Sequence, residues 1–363
     1  MDVALVAGVG PSADRASGIR AHVIGLANAL ADLGHAITIV GAGPHEQSPK
    51  YGWRFLPATT NMSPSSFRFL SALFLKARRL PINGHVVHAH RPDDLVPFRS
   101  RRDLHARVVT IHGLPMPGVT QRHGRFVGSI YGKLERLGIR QADRIVVLDS
   151  QTERDLGRQF PDAPRKIVRG SAGVDLNLFS PRPRSEARAM LGVEDGPTVA
   201  FVGRLAREKN LDTLLAAIPL LADIQFLVAG DGPLRPSLEA WGRRRAGFRF
   251  YGTVGPKDVA AILNAADVLA IPSEREAMPA ICLEALACGT PVVATRIGGL
   301  REIVRDGVNG FFVEHEPGSI AYGLQRAVAQ SGSMRAACRA SVEGFGWPSV
   351  AGDLVRLYQE AAA

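Results

Sequence analysis

The chain has 363 residues, 46% of them hydrophobic and 21% charged, and carries a formal net charge of +10. This length predicts two domains, and no apolar run reaches the length of a membrane span. Cys282, Cys288 and Cys338 are too few for a disulfide framework and lack the spacing of a zinc site, so we expect a reducing, cytoplasmic compartment. The opening MDVALVAGVG has no basic leader and predicts a first strand rather than a signal peptide.

The net positive charge comes entirely from the first half of the chain. Residues 1–180 hold 24 Lys and Arg against 14 Asp and Glu, whereas residues 181–363 hold 20 of each. A one-sided basic surface attracts phospholipid, nucleic acid or phosphorylated substrates, although arginines on solvated faces would give the same count. The basic residues between 50 and 144 include Arg68, Lys76, Arg78, Arg79, Arg99, Arg101, Arg102, Arg122 and Arg125.

Short apolar strands alternate with helix-length segments along the whole chain. This order predicts βαβ units, and ten strands are too many for one modest sheet, so two Rossmann-like domains are expected. The proline-rich stretch 178–192 is the expected linker. The predicted strands are 3–8, 36–41, 85–90, 107–112, 144–149, 198–203, 224–230, 248–252, 267–272 and 291–295.

Two loops after predicted strands suit phosphate binding. GVGPSA (8–13) has the outline of a dinucleotide fingerprint, but a helix does not open inside it and no acid ends the second strand, which argues against NAD. Gly18, at the start of a helix, can still let a backbone N–H approach an anion. In FVGRLAREKN (201–210), Arg204 and Lys209 flank a tight turn and could seat a diphosphate, although such cations are commonly only solvent-exposed.

The stretch SEREAMPAICLEALACGTPVVA (273–294) places two acids in an otherwise apolar segment. Pro279 suits the first turn of a helix that Gly289 ends, so Glu276 lies in the preceding loop and Glu284 in the first turns. Carboxylates at this position can accept hydrogen bonds from sugar hydroxyls while free helix N–H groups hold phosphate. The alternative is a capping acid together with an acid paired to Arg204 or Arg296.

Together these stretches resemble a known family. The pattern S-x-x-E-x-x-P-x-x-x-L-E-A-x-A-x-G-x-P-V-V-A, followed by G-G-x-x-E (298–302) and DGVNGFFV (306–313), is similar to that of the retaining GT-B glycosyltransferases of family four. FVGRLAREKN, VAGDGP (228–233), FYGTV (250–254), VVTIHG and the final GWPSVAGDLVRLY extend the resemblance over nearly the whole chain. It implies an α/β GT-B fold of two Rossmann-like domains facing a central cleft.

The resemblance implies where the domains begin and end and which residues bind the donor. Residues 1–178 would form an acceptor-side domain and 179–345 a nucleotide-sugar donor domain, with 346–363 crossing back as a final helix. Arg204 and Lys209 would neutralise the donor diphosphate, Glu284 would bind the ribose and Glu276 the sugar hydroxyls. The implied catalytic residues are His112, Arg204, Lys209 and Glu276. The implied donor-binding residues are Gly18, Gly203, Arg204, Lys209, Val254, Glu276, Met278, Pro279, Ala280, Leu283 and Glu284.

Two departures from the family pattern concern the donor. Ser17-Gly18 stands where Gly-Gly is common, and Ala277-Met278 stands where Gly-Phe is common, so Met278 could alter which sugar fits. No D-x-D triplet occurs in the sequence, which fits an enzyme that needs no metal and no cofactor besides its nucleotide-sugar co-substrate.

The acceptor side is expected in the N-terminal half. In HRPDDLVPF (90–98), Arg91 could meet an anionic group and Asp93 or Asp94 hydroxyls. SSFRFLSALFLKARRLP (65–81) could lie on an anionic membrane surface or be a core-packed helix with a basic outer face. We therefore expect a cytoplasmic transferase that acts on a glycan or a (poly)isoprenyl- or lipid-linked acceptor in the synthesis of a surface polysaccharide or glycolipid. Peripheral binding to the inner face of the plasma membrane is left open.

Two other functions remain as alternatives, and a third is not expected. A non-hydrolysing UDP-sugar 2-epimerase would share the architecture but would not be expected to carry this paired-glutamate stretch. A catalytically silent nucleotide-sugar-binding protein would be expected to lose Arg204, Lys209 or Glu284, and all three are present. A nucleic-acid binder would leave the donor motifs without an explanation, so no nucleic-acid partner is expected.

Overall fold

The structure, a computed structural model, describes seven stretches of the chain. They are residues 1–9, 18–43, 53–59, 66–82, 86–113, 116–221 and 223–363. The contacts divide the chain into two compact units, Met1–Ala172 with Trp347–Ala363 and Gly173–Gly346. Each unit is built on a parallel sheet covered by helices.

The first unit has a seven-stranded parallel sheet of order β3-β2-β1-β4-β5-β6-β7. Its strands are β1 Asp2–Val6, β2 Ala36–Ala42, β3 Trp53–Thr59, β4 Val86–Ala89, β5 Ala106–Ile111, β6 Arg144–Val147 and β7 Ile167–Arg169. Its helices up to residue 172 are α1 Gly18–Asp32, α2 Ser66–Lys76, α3 Pro92–Leu95, α4 Met116–Gln141 and α5 Ser150–Gln159, with 3₁₀ turns at Val96–Phe98 and Pro164–Lys166. The central strands are buried on both faces, which their continuous apolar sequences require.

The second unit has a six-stranded parallel sheet of order β10-β9-β8-β11-β12-β13. Its strands are β8 Thr198–Val202, β9 Gln225–Ala229, β10 Phe248–Phe250, β11 Val268–Ile271, β12 Val292–Thr295 and β13 Gly310–Val313. Its helices are α6 Arg184–Leu191, α7 Leu211–Ala217, α8 Arg235–Gly242, α9 Pro256–Ala265, α10 Ala280–Ala287, α11 Leu300–Ile303 and α12 Pro317–Ala340, with 3₁₀ turns at Arg207–Lys209, Ile218–Leu220 and Glu343–Phe345.

Both sheets follow the Rossmann strand order, in which the chain starts at the centre, winds to one edge and then returns to the other side. The direction of winding changes between the adjacent strands β1 and β4 in the first unit, and between β8 and β11 in the second. The loops after these strands diverge at such a switch point and leave a crevice, where α/β sheets bind their ligands. The prediction of two parallel Rossmann-like sheets is confirmed.

The last helix, α13 (Trp347–Ala362), belongs to the first unit. It packs along α1, where Gly25 leaves room for the indole of Trp347: a Cβ at Gly25 would lie 2.3 Å from that ring. Tyr358 near its end is fully buried, and its hydroxyl lies 2.5 Å from Nδ1 of His88 on β4. The end of the chain thus anchors against β4 of the first unit.

The structure adds three strands to the ten predicted from sequence, namely β3, β7 and β13. It also corrects the linker: the proline-rich stretch 178–192 contains α6, which packs against α9. Arg184 and Arg188 of α6 both pair with Asp267, at 2.6 and 3.0 Å. The charges that suggested a solvated linker in fact attach this segment to the core of the second unit.

Helix α2 lies within the stretch 65–81. Phe69, Leu70 and Leu73 are buried in the core of the first unit, whereas Phe67 and Leu75 are 70% and 81% exposed. The helix is therefore packed on the core and still presents apolar side chains outward. None of the described helices combines the length and apolar character that crossing a bilayer requires.

Candidate functional site

The two loops at the switch point of the second unit lie against each other. The loop after β8 turns through the 3₁₀ segment Arg207–Lys209, and the loop after β11 runs from Pro272 to Pro279. The backbone N–H of Glu274 donates to the carbonyl of Glu208 at 2.9 Å. This bond fixes the spacing of the two loops, so the side chains that they carry meet above the strand ends.

Lys209 and Glu276 form the centre of this site. The ammonium Nζ of Lys209 donates to Oε1 of Glu276, and the same oxygen accepts a bond from Ser273 Oγ at 2.8 Å. The two charged side chains are 23% and 11% exposed, so they are partly desolvated and balance each other. The structure therefore brings together two of the residues predicted to be catalytic, and each remains reachable by a ligand.

A pair of glycines explains how Glu276 is held in place. Gly298 has φ +43°, and a Cβ there would lie 1.7 Å from the carbonyl oxygen of Glu276. A Cβ at Gly299 would lie 2.5 Å from the carbonyl of Ala277, which also accepts a hydrogen bond from the Gly299 N–H. The loop carrying Glu276 rests directly on these two residues. This close backbone contact is the physical reason for the Gly-Gly pair in G-G-x-x-E.

Two further sources of positive charge lie on the same two loops as Lys209 and Glu276. Arg204 is 60% exposed, and its one ion pair within the described stretches is a long one, 3.9 Å to Glu208. Helix α10 begins at Ala280 with Pro279 as its N-cap, one position before the predicted first turn, and ends where Gly289 adopts φ +77°. The helix N-terminus and an available guanidinium are suited to an anionic diphosphate.

Glu284 is the fifth residue of α10 and behaves differently from Glu276. Burial raises the pKa of its carboxyl to about 7. The alternative that it pairs with an arginine is not seen among the described residues: Arg204 faces Glu208, and Arg296 lies 3.9 Å from the Phe312 ring centroid. A partly buried acid with no ion-pair partner in the described part of the chain is a group that hydroxyl donors of a ligand could satisfy.

The remaining predicted donor residues lie in three different places. Gly203 and Val254 follow β8 and β10, and Met278 precedes α10, so all three lie at the carboxyl-end edge of the second sheet. Leu283 is the exception, because its side chain is fully buried in the core and is not available for a ligand contact. Gly18 begins α1 in the first unit, whereas the loop before it, residues 10–17, lies outside the described part of the chain.

The corresponding edge of the first unit carries histidines instead of charges. His90 follows β4, His112 follows β5, and His22 lies on α1. Nδ1 of His90 lies 3.0 Å from Nε2 of His112, while the ring of His22 makes edge contacts with His112 at 4.8 Å and with Trp347 at 5.3 Å between centroids. Sequence analysis had singled out His112 alone; the HAH and GIRAHV segments were the available signal for its two neighbours.

Burial keeps this histidine group uncharged. It lowers the pKa of His112 to about 4, and that of His88, next to it on β4, to about 3 with a further contribution from His112. The pKa values of His22 and His90 are also well below the usual range, because of burial first and of neighbouring histidines second. At neutral pH His112 is thus a neutral imidazole that can donate or accept a hydrogen bond, and not an acid.

The predicted acceptor residues form a buried cluster beside these histidines. Arg91 pairs with Asp93 at 2.5 Å, and Asp93 also accepts a bond from Tyr131 at 2.9 Å. The carboxylates of Asp93 and Asp94 are fully buried, which corrects the expectation that one of them meets hydroxyls of the acceptor. Burial and Asp93 raise the pKa of Asp94 well above the usual range, and that of Glu135 to about 7. Only Arg91, 22% exposed, is accessible to a ligand.

Comparisons with known proteins agree with this architecture. A family model described as "Glycosyltransferase Family 4" matches residues 16–178, and one described as "Glycosyl transferases group 1" matches residues 196–330. A phosphatidyl-myo-inositol mannosyltransferase of Mycobacterium tuberculosis is 30% identical over 97% of this chain and 95% of its own length. The chain belongs to glycosyltransferase family 4. A further relative of this family 4 chain, a D-inositol 3-phosphate glycosyltransferase of Geodermatophilus obscurus, is 37% identical over 62% of the chain, a match that spans only 54% of that relative.

Solved structures show the same GT-B fold for this family 4 chain. A sucrose-phosphate synthase of Thermosynechococcus elongatus superposes with a TM-score of 0.85 at 25% identity, covering 99% of this chain and 98% of that one. HepE of Anabaena, in complex with UDP-glucose, gives a TM-score of 0.76 at 18% identity over 99% and 100% of the two chains. At that identity the second likeness speaks for the fold alone.

Proposed function

We propose that this protein is a retaining glycosyltransferase of class EC 2.4 that moves a hexosyl group from a nucleotide-diphosphate sugar to a glycan or a (poly)isoprenyl- or lipid-linked acceptor. The observation that carries the proposal is the contact of Lys209 with Glu276 at the switch point of a Rossmann-like unit. Family membership supports the same reaction, since both family models describe glycosyl transferases.

The chemistry follows from the charges at this site. Breaking the bond between the sugar and the diphosphate leaves negative charge on the leaving oxygen, and Arg204, Lys209 and the α10 N-terminus can stabilise it electrostatically. Glu276 can accept hydrogen bonds from donor-sugar hydroxyls, and Glu284 from the ribose. Because these groups already supply positive charge to a diphosphate, we propose that the reaction needs no metal ion.

The role of His112 follows from its lack of charge. A neutral imidazole at a strand end can orient a sugar hydroxyl or the acceptor through one hydrogen bond. Nε2 of His112 is 3.0 Å from Nδ1 of His90. His90 therefore holds the ring, and we propose that a substrate hydroxyl competes for that nitrogen when it binds.

The acceptor is proposed from the relatives rather than from this site. The names of two relatives describe phosphatidyl-myo-inositol and D-inositol 3-phosphate as what those proteins act on. Both are polyols that carry a phosphate, and a phosphorylated or lipid-linked polyol would suit the excess of basic residues in the first 180 positions. Arg91 is the accessible cation of the predicted acceptor stretch.

A lipid-linked acceptor would bring the protein to a membrane surface. The outer face of α2 combines exposed Phe67, Phe74 and Leu75 with exposed Lys76, and exposed Arg79 lies in the turn that follows the helix. Apolar side chains can enter the interface while cations meet anionic headgroups. We propose peripheral binding through this face. Leu75→Glu should abolish sedimentation with anionic vesicles, whereas Met190→Glu, at a position 73% exposed in the second unit, should leave it unchanged.

A thermal-shift screen against UDP-, GDP- and ADP-sugars in excess EDTA tests the donor proposal. A donor at a hundred times its dissociation constant should stabilise the protein by about 2.7 kcal/mol. The shift should be lost in Lys209→Ala and Glu284→Ala and kept in Arg207→Ala, whose side chain is exposed on the same turn as Lys209. No shift with any donor would favour the silent-protein alternative, and epimerised donor without added acceptor would favour the isomerase.

A further inference from the structure

His22, His90 and His112 form a cluster, and the proposed function assigns a substrate contact to His112 alone. Each can offer one ring nitrogen, and these nitrogens lie within 4.8 Å of one another. His90 and His22 are 1% and 7% exposed, and His112 is half-buried. Among the described residues this is the one group of three or more potential metal-binding side chains that converges so closely.

The cluster is held by three different elements of one unit. His90 and His112 leave neighbouring parallel strands, β4 and β5, whose register pairs His88 with Val108. His22 approaches from α1, which α13 braces through Trp347 against Gly25. Since each histidine comes from a separate, packed element, the convergence does not depend on one flexible loop.

One buried ring nitrogen of the cluster, Nε2 of His22, lacks a hydrogen-bond partner among the described residues. Nε2 of His90 also lacks one, but Nδ1 is the atom of that ring that faces His112, so Nε2 of His90 does not count toward the ion. An unpaired buried polar atom carries a desolvation cost that a ligand can remove. An imidazole nitrogen can be satisfied in two ways, by a proton donor or acceptor, or by a metal ion that takes its lone pair.

The spacing suits a small ion of the zinc class. Zinc–nitrogen bonds of 2.0–2.1 Å place tetrahedral ligands roughly 3.3 Å apart. The 3.0 Å between Nδ1 of His90 and Nε2 of His112 is close to that value, and a movement of roughly 1.5 Å would bring the most distant nitrogen from 4.8 Å into range. Imidazole is a preferred ligand of zinc, copper and nickel, whereas magnesium and calcium select oxygen.

We propose that His22, His90 and His112 form a three-imidazole site for a divalent cation of the zinc class, and that an ion bound there inhibits the enzyme by occupying His112. The second part rests on the proposed function, because it needs His112 to contact a substrate. Three protein ligands would leave a fourth position for water or a substrate oxygen. The site would be regulatory, so it agrees with a transfer reaction that itself needs no metal.

Cobalt(II) titration of the untagged, EDTA-treated protein measures binding without any substrate. We expect one equivalent per chain, with the intense visible absorption bands of four-coordinate cobalt, and displacement by zinc. His22→Asn and His90→Asn should each weaken binding at least about 100-fold, since loss of even an outer-sphere partner typically costs 10- to 100-fold. His315→Asn, which removes an exposed histidine from the second unit, should change nothing.

X-ray absorption at the zinc edge identifies the ligands of the bound ion in the wild-type protein, so the result does not depend on whether the variants fold. A first shell with three imidazoles at 2.0–2.1 Å supports the proposal. Sulfur ligation, fewer than two imidazoles, or cobalt binding that survives both His22→Asn and His90→Asn would overturn it.

Inhibition by the bound ion, the second part of the proposal, is tested by a separate activity measurement. Sugar transfer should fall at least tenfold as zinc fills the site and return when EDTA removes it. Full activity with one zinc bound would overturn the inhibition while leaving the site in place. Failure of the proposed function appears elsewhere, as a lack of donor-dependent stabilisation in EDTA, and would leave the cobalt and absorption results untouched.

Discussion

The carboxyl-end edges of the two sheets carry different kinds of side chain: a charged pair in the second unit and uncharged histidines in the first. At the switch point of the second unit, Lys209 and Glu276 are charged, 23% and 11% exposed, and in contact. At the equivalent edge of the first unit, His90 and His112 are neutral because burial lowers the pKa of both. The strand order is the same on both sides, so the difference comes from the side chains and not from the topology.

This contrast follows from what each type of side chain can tolerate. A lysine and a carboxylate can be partly buried only as a pair, because an unpaired charge away from water costs several kcal/mol. An imidazole can be buried alone, since it releases its proton at little cost near neutral pH. The second unit is therefore suited to a charged ligand such as a diphosphate, and the first to orienting an uncharged group.

The largest effect is expected from breaking the charged pair. Lys209→Ala should lower kcat by about 10²–10³, because one electrostatic stabiliser of the leaving group is lost and Glu276 keeps an unbalanced charge. Steady-state kinetics with the donor found in the thermal-shift screen measure this directly.

Arg207→Ala is the matched control, since it removes an exposed cation from the same 3₁₀ turn. It should change kcat less than about threefold, as expected for a solvated surface charge. Equal losses in the two variants would mean that the general charge of the turn matters, and that the contact with Glu276 does not.

The second effect concerns the support beneath Glu276. Gly298→Ala would place a Cβ 1.7 Å from the Glu276 carbonyl oxygen in a left-handed backbone, so the loop must move. We expect a loss of about 2–4 kcal/mol in the free energy of unfolding, measured with urea. Gly318→Ala, where a Cβ meets nothing within 4 Å, should be neutral or slightly stabilising. A variant that keeps wild-type stability and activity would remove the supporting role of Gly298.

The third effect tests the uncharged side of the comparison. Gly25→Ala puts a Cβ 2.3 Å from the indole of Trp347 and should shift that ring, with a loss of about 1–2 kcal/mol after the helical gain of alanine. Near-UV circular dichroism should change, because the indole also lies against His22. The control is Gly352→Ala on α13, where a Cβ meets nothing within 4 Å. Unchanged spectra in both variants would mean that Trp347 does not brace the cluster.

Much of the fold could be predicted from sequence because strands buried on both faces are continuous apolar runs. All ten predicted strands exist, with ends shifted by one or two residues. The missed strands lack that signal: β7 is three residues long at the sheet edge, and β13 follows glycine and asparagine that suggest a turn. The stretch 178–192 was misread because Arg184 and Arg188 look solvated until Asp267 is placed beside them.

The site likewise has features that local sequence patterns predict and features that depend on long-range contacts. Lys209 and Glu276 were predictable, because their motifs are local and the switch point brings the two loops together. The enclosure of Asp93 was not, since its partner Tyr131 is 38 residues away on α4. The convergence of three histidines from α1, β4 and β5 likewise depends on contacts that no local pattern encodes.

The smallest effect is a pH dependence at Glu284, and it separates the two acids of the second unit. Burial raises the Glu284 pKa from 4.5 to about 7, so the folded protein holds this proton more tightly than the unfolded chain. Glu284 therefore reduces stability as pH rises from about 4.5 to 7.

Donor binding should reverse that preference, because the ionised carboxylate is the form that accepts two ribose hydroxyls. Affinity should then fall by up to about tenfold for each pH unit below 7 and be flat above about 8. The donor diphosphate, esterified at both ends, does not titrate in this range. Calorimetry at pH 6 in two buffers of different ionisation enthalpy should show release of nearly one proton per donor in the wild type and of none in Glu284→Gln. Equal proton release in both proteins would assign the titration to another group and leave Glu284 without its proposed contact to the ribose.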